Sequence, residues 1–311
     1  MTLAPFVRIV AQGKGRARAL TFAEAQEAMT IILEGRAAPE AVGGLLMVLR
    51  LRGEEAQEIA GFTAALRAYV SDALPAADLD WPSYAAGRSR GAPLYLLAAR
   101  LVAQSGVRIS MHGHNAYQNA TLGPPDIRAL LGPLVRYDPL ETLCPKAFHL
   151  LDLRADLGLR SCINTVLRMW NPSRADATVQ GVFHPFYRSL QAQAAEILGQ
   201  QTLSIIKGGG GEFERHPSKD TVCFGLRAGA HIQKTAPAML SETRRLHELD
   251  TAIDAHKLWQ GQTRDAFAEA TVTGTAALAL WTVDPTTTIA QAQVTAQDLW
   301  ANRDAYERLN A

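Results

Sequence analysis

Cysteine is scarce in this chain: 311 residues contain three, Cys144, Cys162 and Cys223, with no C-x-x-C pair among them. That spacing argues against a disulfide framework and a cysteine-built zinc site, and it fits a reducing, cytoplasmic setting. Excess charge is missing too. Lysine and arginine number 31 against 30 acids, a formal net charge of +1. No global field therefore draws the chain to nucleic acid or to a lipid surface, and any basic groove must be local. Residues 1–10 hold no apolar stretch long enough for a secretory signal, and no later run reads as membrane-spanning. Internal repeats and low-complexity tracts are absent.

What is present is ordinary globular material, 48% hydrophobic and 20% charged. The length exceeds that of one compact core and favours two domains. Thr21 with Glu24 reads as a capping box, after which Phe22, Ala25, Met29, Ile32 and Leu33 recur at helical spacing up to Gly35. Pro39 opens a second helix at the favoured first position, and Gly53 ends it. Ile59, Phe62, Leu66 and Tyr69 share one face of a third. Mutual packing of these three helices into a small bundle accounts for their apolar faces without any ligand.

From Pro75 the pattern changes. Residues 81–84 predict a strand, 93–105 a helix and 107–111 a second strand, a βαβ unit. Further strands are predicted at 178–183, 202–207 and 221–226, with helices at 186–198, 266–280 and 289–299. Strands alternating with helices predict a mostly parallel sheet covered on both faces. The expected fold class is α/β, with a helical bundle domain over 1–75 and a larger α/β domain over 76–311. The proline-rich stretch 123–149 is not assigned, and part of it is a candidate completion of the helical domain.

In such sheets ligands bind beyond the carboxyl ends of the strands, which draws attention to four loops. The first runs from Tyr84 to Gly91 and carries Arg88 and Arg90, forked donors suited to phosphate. It leads into a helix whose N-terminal amides could receive an anion; the other reading is a solvated basic turn. The second holds His112, Gly113, His114 and Asn115. Two histidines two apart can chelate a metal, but no acid or cysteine cluster lies nearby in sequence, so hydrogen bonding to a ligand or to the loop backbone is expected. The third is Gly158-Leu159-Arg160-Ser161, followed by Asn164 and Asn171-Pro172. Arg160 could clamp a carboxylate or form a helix-surface salt bridge. The fourth is Lys207 followed by Gly208, Gly209, Gly210 and Gly211. Four consecutive glycines cost chain entropy, so they imply close backbone approach to a ligand or an awkward turn. Glu212 and Glu214 behind them are candidate Mg²⁺ ligands, for an ion that usually arrives with substrate phosphates.

Taken in order, these motifs resemble the anthranilate phosphoribosyltransferase family, also called glycosyltransferase family 3. The resemblance runs through Ala28-Met29, Ile32-Leu33-Glu34-Gly35, Leu49-Arg50-Leu51-Arg52-Gly53 and Glu58-Ile59-Ala60-Gly61-Phe62. It continues through Leu157-Gly158-Leu159-Arg160-Ser161, Asn164, Asn171-Pro172 and Gly181-Val182-Phe183-His184-Pro185. It implies a nucleoside phosphorylase/phosphoribosyltransferase-like fold and a homodimer formed through the helical domain. It also implies transfer of a phosphoribosyl group from phosphoribosyl pyrophosphate to an aromatic amine, with Mg²⁺ neutralising the pyrophosphate. Catalysis in that family is mainly positioning and charge stabilisation, and no catalytic side chain is assigned here. By resemblance Arg160 meets the acceptor's carboxylate, His112 and Gly113 line the cleft, and Glu214 remains from an acidic metal pair.

The chain departs from the family's pattern at the chemistry. A Gly-Thr-Gly-Gly-Asp pyrophosphate loop is replaced by residues 84–91, a Lys-His-Gly-Asn-Arg motif loses both cationic ends at 111–115, and an Asp-Glu pair becomes Phe213-Glu214. Ser83-Tyr84 with Arg88 and Arg90 are similar to a divergent branch whose characterised relatives bind DNA nonspecifically and lack the biosynthetic activity. Lys14, Arg16, Arg18, Arg88, Arg90 and Arg108 are the candidate phosphate contacts for that activity. Three functions follow as expectations: phosphoribosyl or pentosyl transfer to an acceptor other than anthranilate, silent binding of nucleic acid, or a dimeric scaffold with a vestigial cleft.

Overall fold

The computed structural model describes residues 2–13, 15–70, 74–84, 91–114, 123–242, 244 and 253–305. Lys14, Arg88, Arg90 and Asn115 lie outside the described residues.

The chain begins with four helices, α1 Ala4–Ala11, α2 Phe22–Leu33, α3 Pro39–Arg52 and α4 Ala56–Tyr69. The capping box at α2 forms as predicted: Glu24 N–H donates to Thr21 Oγ1 at 3.3 Å, and Thr21 N–H donates to the Glu24 carboxylate at 2.9 Å. The Pro39 and Gly53 boundaries of α3 also hold. The sequence reading did not expect α1, which buries Phe6 and Val10. Tyr69, assigned above to an apolar face, is 43% exposed. Helices α2 and α4 touch at backbone level, because a Cβ on Gly61 would stand 2.4 Å from the Phe22 carbonyl oxygen. Glu58 is wholly buried and gathers three segments. Its carboxylate accepts the N–H groups of Leu20 and Glu55, each at 2.9 Å, and the Arg52 guanidinium at 2.5 Å.

The sheet contains β1 Leu79–Ser83, β2 Ile109–Gly113, β3 Val135–Pro139, β4 Ala177–Val182, β5 Thr202–Lys207, β6 Thr221–Arg227 and β7 Ala230–Ala236, in the order β3-β2-β1-β4-β5-β6-β7. The five strands from β3 to β5 pair in parallel, as expected. Two features were not expected. The strand predicted near 221–226 runs antiparallel and continues into a hairpin partner, β7. The unassigned stretch 123–149 supplies the edge strand β3.

The remaining helices are α5 Leu94–Ala103, α6 Pro124–Leu131, α7 Leu140–Leu143, α8 Pro145–Asp152, α9 Arg154–Leu157, α10 Ile163–Arg168, α11 Tyr187–Ile197, α12 Ala255–Trp259, α13 Ala266–Val283 and α14 Ile289–Ala301. Two cores lie on opposite faces of the sheet. One joins α5, α6, α13 and α14 to Trp81, Met111, Val179 and Ile206. The other joins the N-terminal helices, α8, α10 and α11 to Val182, Leu203 and Ile205. Contrary to the sequence reading, one helix is long and apolar enough to cross a membrane by length and composition. This helix, α13, is mostly buried inside the protein, as a central core helix must be.

Strand order turns at β1. The connection from β1 leads outward to β2 on one side, whereas β4 adds on the other. The carboxyl ends of β1 and β4 therefore flank the place where adjacent connections diverge and open a crevice.

Candidate functional site

Strand β2 reaches the crevice in close contact with β1. A Cβ on Gly113 would stand 2.0 Å from the Ser83 carbonyl oxygen, so only glycine permits this register. Tyr84 leaves β1 with its ring buried and its hydroxyl 2.7 Å from His112 Nδ1. On the far side of the imidazole, His112 Nε2 lies 3.3 Å from Asp80 Oδ1, and both residues are wholly enclosed. That contact lacks the alignment of a hydrogen bond. Burial pushes the Tyr84 phenol well above its ordinary value, with the Asp80 charge adding to it. Tyr84 therefore keeps its proton. His112 Nδ1 is thus taken by a side chain, that of Tyr84, and not by the loop backbone.

Arg168, in the last turn of α10, was not singled out from the sequence. It is buried, and its guanidinium donates to the Tyr84 carbonyl at 2.7 Å and to the Asn164 carbonyl at 3.3 Å. A Cβ on Gly211 would lie 3.6 Å from Arg168 Nη2 and 3.5 Å from Phe183 N. Arg168 thus stands where the segments after β1, β4 and β5 meet. Burial lowers its pKa, while the charge of Glu212 opposes that fall. The available sequence signal was a lone cation in the apolar run from Ile163 to Trp170.

The glycine run folds onto itself. Gly209–Gly211 form one tight 3₁₀ turn, in which Gly210 and Gly211 take φ of 63° and 90°. A Cβ on Gly208 would fall 1.7 Å from the Glu212 carbonyl oxygen, and one on Gly181 would fall 2.0 Å from the Glu212 carbonyl carbon. The turn demands glycine at 210 and 211 by conformation and at 208 by close approach of the Glu212 backbone. The Glu212 peptide lodges between β4 and Gly208, while Lys207 is exposed at the end of β5.

Both acids behind this turn are buried and engaged. Glu214 Oε2 accepts the Tyr95 N–H at 3.0 Å in the first turn of α5, whose cap residue Pro93 supplies no side-chain bond. The anion at this helix N-terminus is therefore the chain's own carboxylate. The Glu212 charge acts on Arg168. No group of three potential metal-binding side chains occurs among the described residues. Two carboxylates, one of them bonded through one oxygen to a helix terminus, do not make an all-protein Mg²⁺ cage and suit an ion that arrives with substrate phosphates.

Arg160 follows the left-handed Gly158 and is half-buried. Burial, then Arg154, Arg168 and Arg50, lower it to about 10. It stays charged at neutral pH and makes no ion pair among the described residues, an arrangement suited to an incoming anion. Beside it Asn164 contributes its backbone carbonyl to Arg168. His114, just after β2, is bonded through Nδ1 to Glu141, with its ring 5.0 Å from that of Phe148.

An aromatic shelf that the sequence reading did not list as a site follows β4. Phe183 is 51% exposed and Phe186 61% exposed; the His184 ring lies 4.9 Å from the first and 6.4 Å from the second. Tyr187 completes it, 4.2 Å from Phe186, with its hydroxyl donating to Glu54 at 3.2 Å. Two of the proposed phosphate-groove arginines do not join this crevice. Arg18 pairs with Glu24 at 2.7 Å, and Arg108 pairs with Asp78 at 2.5 Å at the amino ends of β1 and β2, the opposite edge of the sheet.

Residues 6–70 match the helical bundle domain of a glycosyl transferase family. The chain is 31% identical over 212 residues to an anthranilate phosphoribosyltransferase from Rubrobacter xylanophilus, a match covering 63% of this chain and 62% of that protein. It is 30% identical to one from Bacillus caldotenax, over 68% of this chain and 95% of the relative. The crystal structure of anthranilate phosphoribosyltransferase from Thermus thermophilus superposes with a TM-score of 0.75 at 25% identity, covering 94% of each chain. The Saccharomyces cerevisiae enzyme in complex with PRPP and Mg shares the fold, with a TM-score of 0.74 at 14% identity over 99% of this chain and 96% of that one.

Proposed function

From the premise that this chain belongs to the anthranilate phosphoribosyltransferase family, we propose that it transfers a phosphoribosyl or related pentosyl group from a pyrophosphate donor to an acceptor other than anthranilate. The reaction breaks the bond between the sugar C1′ and the pyrophosphate oxygen, and pyrophosphate leaves with the electron pair. A lone pair on the acceptor nitrogen forms the new bond to C1′, and the nitrogen gives up a proton. Such chemistry needs positioning and charge more than a covalent partner.

The observation that carries this reading is the meeting of three segments on Arg168, at the carboxyl ends of β1, β4 and β5. Around that point Arg160 is suited to an anionic group on the acceptor, and Phe183 and Phe186 to the face of its ring. Arg88, Arg90, His114, Asn115 and Lys207 remain proposed contacts of the sugar phosphate. Mg²⁺ would come bound to the donor's pyrophosphate, because Glu212 and Glu214 alone do not fit a resident ion. The departure from anthranilate is supported by Tyr84, which stands bonded to His112 where the family has its glycine-rich loop. We extend the proposal to a homodimer through the helical domain, where Leu51 on α3 is 90% exposed; sedimentation velocity reads that state.

The test is calorimetry of phosphoribosyl pyrophosphate binding with Mg²⁺, followed by pyrophosphate release across a panel of aromatic and heterocyclic amines. Arg160→Ala is expected to raise the acceptor KM and to leave donor affinity unchanged. Absence of donor binding would remove the reading. Rescue of a tryptophan auxotroph would overturn the non-anthranilate acceptor. One observation favours a second reading: the exposed aromatic rings of Phe183 and Phe186 also suit stacked bases of single-stranded nucleic acid. A gel shift whose strength falls steeply across a salt series, with no donor binding, would select it.

A further inference from the structure

A second cleft of about 630 Å³ lies at the amino ends of β4 and β5, on the edge of the sheet opposite the crevice. It opens between α4, the C-terminal end of α11 and the turn that carries Asn171-Pro172, a motif the proposed reaction leaves unused. The turn is held in an unusual shape. Asn171 and Arg174 take φ of 48° and 53°, values that residues with a side chain rarely adopt. The Asn171 amide clamps them by donating to the Ala175 carbonyl at 2.8 Å and accepting the Ala175 N–H at 2.9 Å. The product of this constraint is Arg174 at the edge of the cleft, exposed, with no ion pair or side-chain hydrogen bond among the described residues.

Arg67, on the α4 wall, supplies a second cation. Its Nε donates to the Trp170 carbonyl at 2.8 Å and its Nη2 to the Met169 carbonyl at 2.9 Å, which fixes the guanidinium plane. Arg174 stands close enough to depress Arg67, after burial and against the opposing charge of Asp80. Asp176, exposed, is the one acid among the described residues that line the cleft. The remaining wall includes Phe22, Ala64, Ala68 and Ile197. An arginine fixed by backbone carbonyls and a second, unpaired among the described residues, beside the apolar part of the wall, form a site for an amphiphilic anion.

We propose that this cleft binds a small molecule that joins an oxyanion, either carboxylate or phosphate ester, to an apolar body, with Arg67 and Arg174 on the anion and the α4 and α11 walls on the body. The site is separate from the crevice and does not depend on the transfer reaction. Because α4 belongs to the bundle and the turn feeds β4, its occupant ties the bundle to the sheet from behind.

The experiment titrates the full chain at low ionic strength with benzoate, phenyl phosphate and inorganic phosphate, read by calorimetry and amide NMR. Arg174→Asn removes the cation and tolerates the left-handed conformation. Ala68→Trp fills the cleft from an exposed helix position. Arg160→Ala serves as the crevice control. The expected result is saturable binding of benzoate or phenyl phosphate, tighter than that of inorganic phosphate, weakened about tenfold by Arg174→Asn as one charged contact is lost. Ala68→Trp abolishes the amide shifts that the probe causes at the cleft residues Gly199, Gln200 and Gln201, and Arg160→Ala leaves those shifts unchanged. Preference for benzoate assigns a carboxylate, and preference for phenyl phosphate a phosphate ester. The proposal is overturned if no probe saturates, if both cleft variants bind as the parent does, or if Arg160→Ala alone removes binding.

Discussion

Glu214 accepts the backbone N–H of Tyr95 at 3.0 Å, so the loop after β5 caps the helix that follows β1. The carboxylate occupies the positive end of α5. Glu214→Gln keeps an acceptor but loses the charge, and is expected to cost about 0.3–1 kcal/mol. Glu214→Ala leaves a buried N–H without that partner and should cost about 1–3 kcal/mol. Urea unfolding measures both. Mg²⁺ without pyrophosphate should leave the thermal midpoint unchanged; a rise that Glu214→Gln abolishes would reassign the carboxylate to a metal.

Glu58 makes a stronger prediction. Its buried carboxylate holds Arg52 and the N–H groups of Leu20 and Glu55, and Glu58→Ala strands all three donors. The expected cost is about 3–5 kcal/mol, the range for breaking one side of a buried ion pair. A loss below about 1 kcal/mol in chemical denaturation would show that water replaces the carboxylate there.

Glycine substitutions should separate close approach from backbone conformation. At Gly208 and Gly181 an added Cβ would lie 1.7 Å and 2.0 Å from the Glu212 peptide, so alanine at either position must push the loop off the sheet. The expected cost is about 3 kcal/mol or more, the upper end for overpacking. At Gly199, with φ of 73°, nothing lies within 4 Å. Alanine there carries only conformational strain, about 1 kcal/mol. Equal losses at Gly199 and Gly208 would contradict this geometry.

Tyr187 sets an alkaline limit. Burial first, then the Glu54 charge, push its phenol from 10.0 up to about 12. A folded-state pKa above the unfolded one means that the native protein holds the proton more tightly. The contribution is therefore complete below pH 10 and is lost as pH climbs toward 12. After screening by solvent at this half-buried site it amounts to about 1 kcal/mol. Tyrosinate absorbance should show a component titrating near 12 that Tyr187→Phe removes, and the variant's stability should fall less steeply over that window.

Local signals carried much of the fold. The Thr21 box, Pro39 and Gly53 placed their helix ends, and apolar runs bounded by turns placed β1, β2, β4 and β5 to within two residues. Seven helices (α1, α6 to α10 and α12) and two strands (β3 and β7) escaped, and three of these show why. Helix α1 buries only Phe6 and Val10. Strand β3 is an edge strand with exposed Arg136 and a terminal Pro139. Strand β7 is a largely exposed edge paired through the hairpin after Ala228-Gly229. Neither strand carries a strong apolar pattern of its own: β3 is specified by its pairing with β2, and β7 by the hairpin with β6. At the site the loops were legible, because strand ends can be located from pattern. Side-chain direction was not, since His112 turns inward on Asp80 and Tyr84, and Glu214 turns back to α5, through contacts that join separate strands and helices. Arg168 was hidden because its partners, the carbonyls of Tyr84 and Asn164, are backbone atoms that no residue pattern advertises.

Ile205 and Ile206 are consecutive on β5 yet pack into different cores. Neither half of the molecule can melt while the other stays native, since loosening one face strips the wall from its opposite. Scanning calorimetry should accordingly record a single endotherm in which bundle and sheet are lost together, and any fragment cut at the boundary between them would expose a greasy flank and aggregate.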